Sequence, residues 1–273
     1  MGMMMKIKLY IVTYMGHKRI NPTLKSLFES DLSEHDYEIN IINNHTDIRV
    51  EEVYLNKINI FHNALRPDWS SGHLSRNWNQ AIINGFKSLV NPDCDVVACS
   101  QDDSLFRKDW VSKLEKLHQK YTFVQNGHGD QFHSYLPEAV RRVGLWDERF
   151  CGISRQAADY FWRCVMYNKS ESTIQDFAHS RVLNPIFSDN HEKSRGWLVD
   201  PDPRKLDETW GDTGHGNDNL SVKLMDAKYP VDPYPWTLEK INNVPTRTLI
   251  SNHITYPYFE KDIYGLKEKG YLV

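Results

Sequence analysis

Short apolar runs alternate with amphipathic helical patterns through the first half of the chain. Three of these runs, at residues 7–13, 37–43 and 95–100, end in polar side chains. Between them, apolar residues recur at the spacing of one helix face, as in the segment from Leu74 to Leu89. Strands that alternate with helices in this way form largely parallel sheets that are covered on both faces. The pattern therefore predicts an α/β fold with a mostly parallel central sheet.

Capping residues mark two of the predicted helix starts. Asn21 precedes Pro22, which predicts that Asn21 caps a helix whose first position is the proline. Asp109 is predicted to cap another helix in the same way. Shorter apolar runs predict two further strands, at residues 57–61 and 121–124.

The apolar run at residues 95–100 leads into Gln101 and then into two adjacent carboxylates, Asp102 and Asp103. Open α/β sheets bind their ligands at the carboxyl ends of the strands. Carboxylate oxygens suit Mg²⁺ or Mn²⁺, and such an ion commonly bridges to the phosphates of a substrate. The run therefore predicts a metal site, and an acidic, solvated turn is the alternative that periodicity alone leaves open.

The regular alternation of strand and helix patterns ends after Gly127. A helix with Phe161 and Trp162 on its apolar stripe follows, and beyond Pro185 the sequence is rich in loops down to about Gly216. Long loops of this kind are binding elements or lids, or else they are disordered. No Gly/Ser linker marks a second domain, so we expect one domain with a loop-rich C-terminal extension.

Composition narrows the class of partner and the compartment. The 273 residues include 33 basic and 36 acidic side chains, a net charge of −3, which gives no bulk attraction to nucleic acid. No apolar run approaches the ~20 residues that a membrane span needs. The four cysteines form no CxxC pair, which favours a reducing compartment. We expect a cytoplasmic protein with no nucleic-acid partner and no integral membrane segment.

The order of these elements, with the acidic motif at 101–103 and the Gly-Leu-Trp-Asp-Glu-Arg-Phe segment at 144–150, carries a family resemblance. Over residues 6–195 the chain resembles the GT-A-fold glycosyltransferases of family 2, which move a sugar from a nucleotide sugar to an acceptor. The resemblance implies a Rossmann-like GT-A domain. Residues 1–125 would form its donor-binding half, and residues 126–273 its acceptor-binding half and C-terminal extension.

The resemblance also implies a set of donor and metal contacts. Gln101 replaces the first acid of the family's DxD motif, so Asp103 is the implied metal ligand and Asp102 the next candidate. Asn43 stands where the family usually has an aspartate that contacts the nucleoside base. Thr13 and Tyr14 match the loop after the first strand that touches the base, and Arg76, Asn77 and Asn79 match the helix start that approaches the sugar nucleotide. Gln101 and Asp102 are the remaining implied donor contacts.

The acceptor side departs from the family pattern. The usual position of the catalytic base is Ala157, so Asp159 is the implied general base, and a purely structural helix acid is the equal alternative. Asp147 is the second catalytic candidate, and a retaining enzyme that uses the leaving phosphate would need neither. The implied acceptor contacts are Trp146, Glu148 and Trp210, of which Trp210 could equally be an ordinary packing residue.

A histidine after the acceptor helix often completes the metal site in this family. His191 matches that place, His179 competes with it, and a polar surface histidine is the simpler alternative. The implied cofactor is Mn²⁺ or Mg²⁺. The implied partners are a UDP-, GDP- or dTDP-sugar as donor and a glycan as acceptor.

The sequence thus predicts a metal-dependent glycosyltransferase of the hexosyl- or deoxyhexosyltransferase type that acts on a hydroxyl of a glycan or glycoconjugate. One alternative is a non-catalytic module that binds nucleotide sugars or glycans, which would agree with the changes at Gln101 and Ala157. The other is a sugar nucleotidyltransferase, which would need a Gly-rich basic loop after the first strand. Only Gly16, Lys18 and Arg19 occur there.

Overall fold

The computed structural model describes most of the first 150 residues and a few short segments beyond them. The described ranges are 5–14, 19–45, 48–63, 74–119, 121–126, 131–150, 156–157, 159–160, 163 and 199–201.

Eight strands lie in these ranges: β1 (Lys6–Thr13), β2 (Asp36–Asn43), β3 (Asn59–His62), β4 (Val96–Gln101), β5 (Ser104–Phe106), β6 (Phe123–Asn126), β7 (Phe132–Tyr135) and β8 (Val199–Pro201). Six of them form one sheet in the order β3-β2-β1-β4-β7-β6. The first four strands of that order are mutually parallel, whereas β7 is antiparallel to both β4 and β6. The prediction of a mostly parallel α/β sheet is confirmed.

The helices are α1 (Ile20–Phe28), α2 (Glu52–Leu55), α3 (Leu74–Phe86), α4 (Trp110–His118) and α5 (Pro137–Val143), with a 3-10 turn at Asp31–Glu34. Among the described residues, no helix combines the length and the apolar character that crossing a membrane requires.

Each face of the sheet is covered by a separate apolar core. One core joins Ile11 of β1 to Leu24 of α1 and Trp110 of α4, all of them fully buried. The other joins the opposite face, including Val97, to Trp78 of α3. Alternate residues of a strand point to opposite faces, which is why strands that are apolar along their whole length are buried on both sides.

Helix α1 starts earlier than its sequence predicts. It begins at Ile20, and the N-cap is Arg19, whose side chain makes no capping bond. The Asn21 side chain accepts from the Glu51 amide at 2.9 Å and donates to the Arg49 carbonyl at 3.0 Å. The prediction that Asn21 caps the helix is wrong, because its amide fastens the segment after β2 instead. Asp109 does precede α4 at the N-cap, although its side chain makes no capping bond.

Helix α3 packs closely against β4 at Gly85. A Cβ atom at this position would overlap Cγ2 of Val97, so the absence of a side chain sets the helix-to-sheet distance there. The helix ends at Phe86, and Lys87 follows with a φ of 57°. The close approach holds α3 against β4, and the helix also packs against β1.

A two-stranded ribbon lies beside the acidic motif. Strand β5 follows Asp103 directly and pairs antiparallel with β8, with Ser104 opposite Pro201 and Phe106 opposite Val199. Residues 199–201 therefore lie next to the acids at the end of β4.

Candidate functional site

The carboxyl ends of three adjacent strands meet at one edge of the sheet. In the β-sheet register, Thr13 at the end of β1 lies beside Asn43 at the end of β2, and Val12 lies beside Gln101 at the end of β4. Asp102 follows directly, and its amide donates to the Val12 carbonyl at 3.1 Å. Residues that the sequence predicts as donor contacts are therefore neighbours in the fold.

Asp102 is bound by side chains from the β1 exit and from α1. Its Oδ2 accepts from Thr13 Oγ1 at 2.6 Å, and its Oδ1 accepts from Arg19 Nε at 3.0 Å. The hydroxyl of Thr23 donates to the Asp102 carbonyl at 2.7 Å. Asp102 itself is 5% exposed. Arg19 was not among the predicted site residues, because a basic residue in a loop carries no signal of its eventual partner.

Burial raises the pKa of Asp102 to about 6, and the adjacent charge of Asp103 acts in the same direction. The Arg19 guanidinium and the hydrogen bonds from Thr13 and Arg19 oppose this increase in pKa, because they stabilise the ionised carboxylate. The strand end therefore concentrates two carboxylates and one guanidinium in a place that water reaches poorly.

Asp103 is held from the other side of the motif. The Gln131 amide donates to the Asp103 carbonyl at 3.2 Å, and the Gln131 carbonyl accepts from the Gln101 amide at 3.0 Å. Asp103 is only 1% exposed. Gln131 precedes β7, and no local sequence feature predicts that it would support the acidic turn.

The described residues provide no complete metal cage at this edge. No group of three His, Cys, Asp or Glu side chains within the described ranges has the geometry to hold an ion. Mg²⁺ typically takes one or two carboxylates from a protein and completes its shell with water and substrate phosphates. The metal role of Asp103 stays a prediction, and both of its carboxylate oxygens are buried. His191, the further predicted ligand, and its competitor His179 lie outside the described residues.

The Asn43 side chain is engaged within its own turn. Its Oδ1 accepts from the His45 amide at 3.2 Å, its Nδ2 donates to the His45 carbonyl, and the same Nδ2 lies 3.2 Å from His62 Nδ1. The ring of Tyr14 meets the His45 ring edge-on, with 5.4 Å between centroids. The predicted base-contacting residues thus form one cluster, in which Asn43 shapes the turn that carries His45.

Helix α3 is joined to the Gly-Leu-Trp-Asp-Glu-Arg-Phe segment through Glu148. The Asn79 amide donates to Glu148 Oε1 at 2.9 Å, and Arg76 Nε donates to Oε2 at 3.3 Å. Asn79 also pairs with the Trp146 backbone in both directions, at 2.7 and 2.9 Å. A predicted donor element and a predicted acceptor element are therefore in direct contact.

Trp146 and Asp147 are both buried. The Trp146 ring stacks on Tyr160 with 4.4 Å between centroids, and its Nε1 donates to the Tyr135 hydroxyl at 2.7 Å. Asp147 accepts from the Arg149 amide at 3.1 Å and from Arg149 Nε at 2.9 Å. These contacts are those of packing and turn-forming residues. The acceptor role of Trp146 and the catalytic role of Asp147 stay predictions, and Trp210 lies outside the described residues.

The predicted base Asp159 forms a buried ion pair with Arg163. Asp159 is fully buried, and its Oδ2 accepts from Arg163 Nε at 3.0 Å. Ala157, at the family's usual base position, is also buried. A general base must reach the acceptor hydroxyl, and burial in the ion pair with Arg163 leaves the Asp159 carboxylate little access to one.

Comparisons with known proteins give a likeness of fold. The structure matches GT-A glycosyltransferases over about 60% of its length. One match is S. aureus TarS 1–349 in complex with UDP-GlcNAc, with 14% identity, 60% of this chain and 54% of that chain covered, and a TM-score of 0.45. At such identities the likeness concerns the fold alone.

Two further matches have the same character. The mannosyltransferase PcManGT from Pyrobaculum calidifontis, in complex with GDP-Man and Mn²⁺, is 10% identical, with 60% of this chain and 53% of that chain covered and a TM-score of 0.43. GalNAc-T7 with UDP, GalNAc and Mn²⁺ is 12% identical, with coverages of 59% and 40% and a TM-score of 0.42. The matched region spans about half or less of these proteins. No protein-family model and no curated protein matches the sequence.

Proposed function

We propose that this chain is a metal-dependent glycosyltransferase that moves a sugar from a nucleotide-diphosphate sugar to a hydroxyl group of a glycan or glycoconjugate. The observation that supports the proposal most directly is the meeting of Thr13, Asn43 and the Asp102–Asp103 pair at the carboxyl edge of a parallel sheet. This edge is where open α/β sheets bind nucleotides. Residues 1–125 are proposed to bind the donor, and residues 126–273 the acceptor.

In the proposed donor complex the nucleoside lies against the ends of β1 and β2. Tyr14 and His45 offer ring surfaces there, and Thr13 and Asn43 fix the turns that carry those rings. Asp103 would hold Mn²⁺ or Mg²⁺ against the diphosphate, and such an ion stabilises the charge that grows on a leaving diphosphate. Arg76, which is half exposed, offers a second positive charge near the helix start.

In the proposed reaction an acceptor oxygen bonds to the anomeric carbon of the donor sugar while the bond from that carbon to the diphosphate oxygen breaks. The hydroxyl proton passes to a base, and the nucleoside diphosphate leaves. Asp159 is the proposed base, with Asp147 as its substitute. The contact from Arg76 and Asn79 to Glu148 supports this division of roles, because it holds the proposed donor and acceptor halves against each other.

A panel of UDP-, GDP- and dTDP-sugars with Mn²⁺ tests the proposal, with release of the nucleoside diphosphate as the measurement. We expect slow hydrolysis of one class of donor, and we expect Asp103→Asn to reduce it at least 100-fold, the order of effect of losing a main charge-stabilising group. Asp109→Asn is the matched control, because Asp109 is an exposed acid six residues along the chain at the start of α4. Equal activity in both variants would refute the metal role of Asp103.

A non-catalytic nucleotide-sugar-binding module is the second candidate. The burial of Asp159 in an ion pair, together with Ala157 at the usual base position, favours it. Isothermal titration with the same donors separates the two candidates. Micromolar binding of a nucleotide sugar, with no hydrolysis and no transfer to any glycan in an acceptor array, would support the binding module over the enzyme.

A further inference from the structure

The two acids of the motif are fixed by different parts of the molecule. Asp102 is held by the β1 exit and α1, through Thr13, Arg19 and Thr23. Asp103 is held through its carbonyl by Gln131, which precedes β7. Neighbouring carboxylates that share one metal ion would be expected to converge on it, whereas here the Asp102 carboxylate is directed to Thr13 and Arg19.

The charge of Asp102 already has a buried counter-ion. Arg19 Nε lies 3.0 Å from Oδ1, and the two side chains are 7% and 6% exposed. Like charges at close range in a poorly solvated place repel strongly. A divalent cation bound to Asp102 would lie next to this guanidinium and would compete with it for the same carboxylate.

The contacts of Asp102 also hold the side chain of Thr13, a predicted donor contact. Thr13 is 1% exposed, and its hydroxyl donates to Asp102 Oδ2 at 2.6 Å. Arg19 in turn lies 3.4 Å from the Tyr14 carbonyl through its Nη2. Asp102 thereby holds Thr13 at the end of β1 directly and is linked through Arg19 to Tyr14, the next residue.

We propose that Asp102 is a positioning residue that locks Thr13 and, through Arg19, Tyr14 at the nucleotide-facing end of β1, and that it leaves metal coordination to Asp103. The part of this proposal that concerns nucleotide and metal rests on the proposed function. The part that concerns the lock rests only on the contacts described above. A carboxylate is required at both positions, but for different reasons.

Two isosteric variants, Asp102→Asn and Asp103→Asn, test the division of roles in the full chain. The first measurement is the affinity for UDP and GDP without metal, by isothermal titration at a temperature where both variants are folded. The second is the uptake of Mn²⁺ by nucleotide-saturated protein, from the EPR signal of the free ion. A residue with only a structural role would change the unfolding temperature and leave both affinities unaltered.

We expect a crossed pattern. Asp102→Asn should weaken metal-free nucleotide binding about 10-fold and change Mn²⁺ uptake less than about 3-fold. Asp103→Asn should weaken Mn²⁺ uptake at least 10-fold, because even the loss of a group that only supports a metal ligand lowers metal affinity about 10- to 100-fold. Metal-free nucleotide binding should stay unchanged in Asp103→Asn. Loss of Mn²⁺ uptake in Asp102→Asn as large as that in Asp103→Asn would overturn the proposal.

The lock has its own test that needs neither nucleotide nor metal. Arg19→Met leaves a buried carboxylate without its counter-ion, so adding Asp102→Asn to it should restore part of the lost unfolding temperature, and Arg19→Lys should lose less than Arg19→Met. Additive losses in the double variant would overturn the lock. If the wild-type chain binds no nucleotide and no Mn²⁺, the proposed function fails, and this cycle alone then decides the positioning role.

A milder variant covers the case in which Asp102→Asn does not fold. Thr23→Val removes only the hydroxyl that donates to the Asp102 carbonyl and keeps a similar volume. It should lower metal-free nucleotide affinity measurably and leave Mn²⁺ uptake by the nucleotide complex as in wild type. The opposite result, with reduced Mn²⁺ uptake and unchanged nucleotide affinity, would contradict the proposed division.

Discussion

Arg163 Nε donates to Asp159 Oδ2 at 3.0 Å, one helical turn away, and the two side chains are 6% and 0% exposed. The same guanidinium donates from Nη1 to the Val143 carbonyl at 2.9 Å and lies 5.0 Å above the ring of Tyr160. The predicted base is therefore part of a buried ion pair that joins the segment around residue 160 to the end of α5. A buried pair of this kind is costly to break by removing one partner.

Asp159→Asn should therefore destabilise the protein whether or not Asp159 is the base. We expect a loss of about 3–5 kcal/mol in the free energy of unfolding, because the Arg163 charge would stay buried without its partner. Denaturant unfolding of the variant gives this number. The double variant Asp159→Asn/Arg163→Met should recover a large part of it, since neither buried charge is then left alone.

Activity of the double variant separates structure from catalysis. If Asp159 is the base, the double variant should be stable and yet lack transferase activity, because the proton acceptor is missing. A stable double variant with wild-type turnover would show that Asp159 only holds the fold and that another group accepts the proton.

The sequence predicts the parallel part of this sheet well and its antiparallel part poorly. Apolar runs such as residues 7–13 and 39–43 are buried on both faces, and that burial is visible in local composition. Strand β7 has the sequence Phe-His-Ser-Tyr, which is fully buried but carries two polar residues, so it lacks a local signal. The pairing of β5 with β8 and the support of Asp103 by Gln131 join residues far apart in sequence, which periodicity does not reveal.

The candidate site shows the same difference between local features, which the sequence predicts, and contacts between distant residues, which it does not. The acids at the end of β4 were predictable, because an apolar run that ends in carboxylates is a local feature. Their partners were not, since nothing near Arg19 in the sequence indicates that it pairs with Asp102. Asn21 is an example of a local signal that gives a wrong prediction, because its side chain binds Arg49 and Glu51 instead of capping the helix.

Gly85→Ala should destabilise the protein although alanine is the better helix former. The added methyl group would overlap Val97 Cγ2 on β4, and overpacking of this kind costs about 1–3 kcal/mol, against a gain of about 1 kcal/mol in helix propensity. Thermal unfolding should show a net loss. Asn84→Ala, at an exposed position on the same helix, is the control and should be neutral or stabilising.

Val97→Ala supplies the complementary half of a double-mutant cycle with Gly85→Ala. Val97→Ala alone should cost stability, because it leaves a cavity. Combined with Gly85→Ala it should cost less than the sum of the single losses, with a coupling of about 1 kcal/mol or more. Strict additivity would mean that α3 shifts away from β4 to admit the new methyl group.

Gln125→Met should stabilise the protein. Gln125 is 1% exposed on β6, and neither polar atom of its side chain has a hydrogen-bond partner within the part of the chain that the structure describes. Replacing an unsatisfied buried amide by an apolar side chain of similar length removes a penalty of about 1–3 kcal/mol. Chemical unfolding of the purified variant measures the change.

Gln131→Met is the matched control for Gln125→Met. Gln131 is also buried, but its amide donates to the Asp103 carbonyl, so this substitution should lower stability. If Gln125→Met is destabilising to the same degree as Gln131→Met, then Gln125 has a partner in solution, such as an ordered water molecule.

His118 should make the protein less stable in mild acid. Its Nδ1 lies 2.9 Å from the Tyr121 carbonyl and its Nε2 lies 2.9 Å from Ser134 Oγ, which favours the neutral ring with the proton on Nδ1 and the serine hydroxyl donating to Nε2. Burial lowers the pKa of His118 from 6.5 to about 4. The unfolded chain therefore binds this proton more readily than the folded protein does.

The sign of the pH dependence follows from that difference. The contribution of neutral His118 to the free energy of unfolding is fully present above pH 6.5. It is lost as the pH falls from 6.5 towards 4, because only the unfolded state gains the proton in that pH range. Two-state linkage gives a loss of about 2 kcal/mol at pH 5. Urea unfolding of the wild type and of His118→Gln at pH 7 and pH 5 isolates this contribution, since glutamine does not titrate. The wild type should lose about 2 kcal/mol more than the variant between these pH values, and equal losses would show that His118 titrates normally in the folded protein.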